Sequence, residues 1–174
     1  MTFILVGGII QYEVKNMDKY IRMFKWLLLI IGGTTFVLSV TLMPEIASWA
    51  AWRIPEMAHL EYPLLIFVWV TLIGFYYIII LIFKICSNVQ SDKAFTMGTV
   101  RTFDTIAWIA MGELIAYMIG FIILAIWLMR AHPSFVFILF LVAFVCLMLF
   151  GFCKVMKHLL LRVIDIKEEN DYTI

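Results

Sequence analysis

"LLIFVWVTLIGFYYIIILIF", residues 64–83, is a run of twenty residues without a charge, bounded by Pro63 and Lys84. A helix rises about 1.5 Å per residue, so a run of this length covers the roughly 30 Å of hydrocarbon in a bilayer. The run is apolar all round, so periodicity is silent and length decides that it spans. Three more stretches qualify. Residues 26–43 ("WLLLIIGGTTFVLSVTLM") end at Pro44, residues 105–129 carry Glu113 as their one charge, and residues 135–153 ("FVFILFLVAFVCLMLFGFC") end at Lys154. The chain is 65% hydrophobic and 14% charged, where an average soluble domain has about a quarter charged residues. The expected fold is all-α: an integral membrane four-helix bundle, closed and compact. It forms one domain over residues 1–174, with a loop at 84–104 and a tail at 154–174.

Basic residues set the orientation. Lys15, Lys19, Arg22 and Lys25 precede the first span; Lys84, Lys93 and Arg101 lie between spans two and three; Lys154, Lys157, Arg162 and Lys167 follow the fourth. The opposite loops hold Arg53 and Arg130. Eleven against two predicts a multi-pass cell-membrane protein with both termini cytoplasmic. A net charge of +1 gives no basis for direct nucleic-acid binding. "MTFILVGGII" is too short to span and lacks the basic start of a signal peptide. "MDKYIRMFKWLLLI", from Met17, reads as a natural bacterial start, and the codons for Glu13 and Val14 could include a ribosome-binding sequence. Residues 1–16 are therefore expected to be an upstream-start extension.

Several chemistries lack their residues. Cys86, Cys146 and Cys153 show no C-x-x-C spacing and read as small buried hydrophobes rather than a redox device. His59, His132 and His158 lie outside the spans, so haem in the bundle has no ligand. H-E-x-x-H, G-x-S-x-G and phosphate-loop motifs are missing. Glu56, His59 and Glu61, with His132, make at most an incomplete metal set. The expectation is a non-enzyme with no catalytic residues, metal or cofactor.

The connections carry local signals. Thr96 has the position of an N-cap for the third helix, with Phe95 before it and Val100 at the fourth helical position as a hydrophobic staple. That helix should begin about two turns before lipid. The outer segment "PEIASWAAWRIPEMAHLEYP" is expected to lie along the membrane, with Ile46, Trp49, Trp52, Ile54 and Met57 in the interface. Glu45, Arg53 and Glu56 would then face water. After Cys153, Met156, Leu159, Leu160, Val163 and Ile166 keep helical spacing, and nothing breaks the helix before Asn170. Span four should continue as an amphipathic extension standing off the membrane.

Glu113 is the residue that composition does not explain. It comes nine residues after Asp104, about 13 Å along the helix and well inside the hydrocarbon. A charge there costs about 3 kcal/mol on insertion scales, so Glu113 should face protein in its neutral form. Tyr117, one turn on, is the expected hydrogen-bond donor, with Thr34, Thr35, Ser39, Thr71, Tyr76 and Tyr77 as candidates on other helices. Gly112, Ala116 and Gly120 beside it form a small-residue stripe for helix packing, within one chain or between two protomers of a homodimer.

"DKAFTMGTVRTFDTIAWIA" after the second span and "IDIKEENDYTI" after the fourth resemble a bacterial family of four-span membrane proteins of unknown function. The resemblance covers most of the chain from about Met17. Members of that family are often encoded beside a small helix-turn-helix regulator, which implies a membrane partner of a DNA-binding protein. Two activities follow as expectations. One is a regulatory or accessory protein that docks such a regulator through Lys93, Arg101, Lys157, His158, Arg162 and the acidic tail. The other is a small proton-coupled exporter or immunity-type protein working through Glu113.

Overall fold

The computed structural model describes residues 2–53, 58–59, 61–91, 93–127 and 133–171, with side chains from Asn16 onward other than 50, 53, 124–127, 133–136, 138–139 and 171. Four long helices carry the chain: α1 (Thr2–Arg53), α2 (Glu61–Gln90), α3 (Met97–Trp127) and α4 (Pro133–Asp171). Each holds a segment long and apolar enough to cross a membrane, and no strand occurs among the described residues. All four spans expected from the sequence are therefore present.

Side-chain bonds show that the helices alternate in direction. At one end, Lys25 of α1 donates to Ser87 Oγ (3.1 Å) and Gln90 Oε1 (2.7 Å) of α2. Close by, Asn88 of α2 donates to Thr99 Oγ1 of α3 at 3.2 Å. At the other end, Ser48 of α1 donates to Glu61 Oε1 of α2 at 2.9 Å. The backbones approach in chain order, α1 on α2, α2 on α3 and α3 on α4. Among the described residues the outer members, α1 and α4, do not meet.

The best-packed region lies toward the end that carries the α2–α3 loop. Ile78 and Leu81 of α2, Ile106 and Ala107 of α3 and Cys153 of α4 are buried together, flanked by Phe103, Leu149 and Phe150. Ala107 and Ala110 are fully covered, so α3 and α4 approach where α3 has almost no side chain. Lipid tails are as apolar as leucine, so this seam holds by dispersion and close fit rather than by escape from water. On the outside, Trp26, Ile30, Ile73, Phe140 and Phe152 stay exposed, as lipid-facing residues should be.

Two boundaries differ from the sequence reading. The first span does not stop at Pro44; α1 runs through it to Arg53. Proline removes one backbone donor, but membrane helices tolerate that loss, and Ala47, Ala50 and Ala51 favour continuation. Around the break, Thr41 donates to the Val37 carbonyl at 2.7 Å and Ser48 to the Pro44 carbonyl at 2.9 Å. Residues 44–53 are thus a prolongation of α1 and not a separate surface segment, while Ile54, Glu56 and Met57 lie outside the described residues. The second helix also outruns its apolar stretch, from Glu61 to Gln90.

The cap at Thr96 stands. The Thr99 amide donates to the Thr96 carbonyl at 2.9 Å and approaches its hydroxyl at 3.4 Å. Beside the cap, Val100 is buried and Phe95 is more than half exposed. Hydroxyls hold the loop: Thr96 and Thr99 both donate to the Lys93 carbonyl, at 3.1 and 3.2 Å. The amphipathic extension is also real, since α4 is unbroken to Asp171.

Candidate functional site

Charged and polar side chains inside the helices gather at two levels of α3. The first is Asp104, the residue before the third span. α3 and α4 run antiparallel, so the start of one span and the end of the other come to the same height. Lys154 donates to Asp104 Oδ1 at 2.8 Å and Lys157 reaches the same oxygen at 3.0 Å. Lys154 also lies 5.0 Å from the centre of the Trp108 ring and 5.6 Å from that of Phe150. Hydrogen bonds from Lys154, then Lys157, hold the Asp104 carboxyl below the usual carboxylate range. All three side chains are about 30% exposed, so each lysine contributes modestly. The clamp ties α4 to α3 at the point where the α4 extension begins.

The second level is Glu113. Its carboxyl rests on the backbone of α2 at Gly74, so closely that a methyl group added to Gly74 would overlap its Oε1. In this arrangement the carboxyl fills the space that a side chain at Gly74 would take, so a residue larger than glycine there requires the end of Glu113 to move. Tyr117 does not bond Glu113, contrary to expectation; its hydroxyl donates to Thr71 Oγ1 at 3.1 Å. Thr71 is buried on the same face of α2, one turn from Gly74. The Phe67 ring meets Tyr117 edge-on at 5.5 Å, which completes a polar-aromatic seam between α2 and α3. Tyr76 looks the other way and donates to the Gly32 carbonyl of α1 at 3.0 Å.

The small-residue stripe is split by its own geometry. A step of four residues turns about 40° around a helix, so Gly112 and Gly120 point about 80° apart. Gly120 lies under Phe67, 3.1 Å from where its Cβ would be, whereas Gly112 opens onto empty space. Within this chain Gly112 is not a packing residue; Ala107 and Ala110 take that part. Of the expected docking residues, Lys93, Arg101, His158 and Arg162 are exposed, while Lys157 is engaged with Asp104. Glu61 bonds Ser48, and no cluster of metal-ligating side chains occurs among the described residues. Glu56 and His132 lie outside the described residues.

Four spans, a charged clamp where both termini emerge and one carboxyl between two helices define a small polytopic membrane protein. The chain belongs to the family described as "Protein of unknown function (DUF2975)", whose model matches residues 45–174. It is 30% identical over 151 residues to the uncharacterized membrane protein YoaS of Bacillus subtilis (strain 168), an overlap of 84% of this chain and 92% of the relative. No solved structure matches it.

Proposed function

We propose that this is a non-enzymatic accessory or regulatory membrane protein. In this reading its terminus-bearing end faces the cytoplasm and docks a soluble helix-turn-helix regulator. The observation that supports the reading best is the unbroken α4, which runs from lipid to Asp171 with Lys154 and Lys157 paired to Asp104 where the extension begins. A continuous helix presents His158 and Arg162 in a fixed frame, at the end of the molecule that also carries the exposed Lys93 and Arg101. Basic residues on that side are needed for orientation in any case. What favours docking is that they stand on ordered helix and capped loop. The family resemblance supplies the kind of partner.

The test is truncation after Lys157, which leaves the clamp intact. A helix-turn-helix regulator co-expressed with the chain should co-purify with the full chain and be lost from the truncated one. Equal recovery with both ends the docking reading.

A further inference from the structure

Lys154 and Lys157 meet on the same oxygen, Asp104 Oδ1, at 2.8 and 3.0 Å, so a single carboxylate faces two neighbouring ammonium groups. It cancels one charge and leaves the other. An ammonium has three donors, and among the described residues neither lysine has another hydrogen-bond acceptor. Arg101 is exposed one turn outward of Asp104 on the same face of α3 and adds a further positive charge. The cluster is thus basic, and its spare donors are open to a ligand.

Depth says which kind. Asp104 precedes the third span and Lys154 follows the fourth, so the cluster lies where hydrocarbon ends and lipid headgroups begin. On its inner side the groove between α3 and α4 is apolar. The Trp108 ring, 5.0 Å from Lys154, is 62% exposed and faces the bilayer, with Phe150 on the opposite wall. One turn further in along α3, Gly112 has open space where a Cβ would stand. A basic rim above an apolar notch matches a molecule with an acidic head and a hydrocarbon chain.

The geometry points to a binding site for one anionic phospholipid. Its phosphate takes the spare donors of Lys154 and Lys157 within reach of Arg101, and an acyl chain lies along Trp108 and past Gly112. Lipid fits better than a soluble anion because the lysine pair adjoins a tryptophan at the bilayer interface, the level such rings favour. Of the residues proposed to dock a regulator the site shares Arg101 alone, and its test needs no regulator, so the two readings fail separately.

The test is native mass spectrometry of the purified full chain in a neutral detergent with added phosphatidylglycerol or phosphatidylcholine. One phosphatidylglycerol per chain should be retained, with a preference of at least about fivefold over phosphatidylcholine. Lys154→Gln and Lys157→Gln should each erase most of that preference, whereas Lys167→Gln, the same charge change far along α4, should leave it intact. Asp104→Asn removes the competing carboxylate and should strengthen retention a few-fold, the opposite of what a merely structural ion pair predicts. Equal retention of the two lipids overturns the inference. So does an equal loss with Lys167→Gln, which would reduce the effect to general surface charge, or a retention that Asp104→Asn lowers. Displacement of the lipid by millimolar inorganic phosphate also overturns it, since the site would then belong to a soluble anion.

Discussion

Asp104 and Glu113 are two carboxylates on one helix, and they meet opposite surroundings. Asp104 stands at the membrane's edge, where antiparallel neighbours bring their flanking lysines, and it collects two of them within 3.0 Å. Glu113 stands in the hydrocarbon, where none of the other helices carries a charge, and it is accommodated by the space above Gly74. Depth in the bilayer thus selects between pairing and lodging. The first solution ties α3 to α4 at the membrane's edge; the second sets how closely α3 sits on α2.

The contrast can be broken most severely at the lodging. Gly74→Leu should drive α2 from α3 and cost about 1–3 kcal/mol, as overpacking does, read as a lower thermal midpoint in detergent. Gly74→Ala should do less, because the atom in its way is the end of a flexible side chain. Asp104→Ala comes next, at about 0.5–1 kcal/mol for partly exposed pairs, with salt lowering the wild type toward the variant. Acid should act in the same direction. Asp104 is held below its ordinary value, so its contribution is present above about pH 4 and fades as pH falls through the depressed value; Asp104→Asn should abolish that dependence. Tyr117→Phe removes the bond to Thr71 and should cost about 0.6 kcal/mol. Smallest in stability is Glu113→Gln, which keeps shape and hydrogen-bonding capacity. A normal fold with lost resistance or transport would make Glu113 a coupling group, whereas unchanged activity would leave it as packing.

Much of this was legible in the residues. The spans follow from uncharged length, the cap at Thr96 from its spacing, and the prolonged α4 from helical periodicity with no breaker. Pro44 misled because a proline's cost is paid in hydrogen bonds, and a long membrane helix can forgo one. The clamp was half visible: Asp104 and Lys154 each flank a span, so alternating helices had to bring them to one height. Which side chains touch depends on rotation about the helix axes, and a single sequence does not encode that openly. Gly74 was invisible for the same reason. Inside "LIGFYY" it looks like any glycine in an apolar run, and only the neighbour's carboxyl gives it a purpose.

One continuous rod, α3, carries both the clamped Asp104 and the lodged Glu113, about 13 Å apart along its axis. A hydrogen-bonded helix transmits axial displacement with little loss. The clamp and the lodged carboxyl therefore sit on one element, and a rigid-body shift of α3 against its neighbours would move both together.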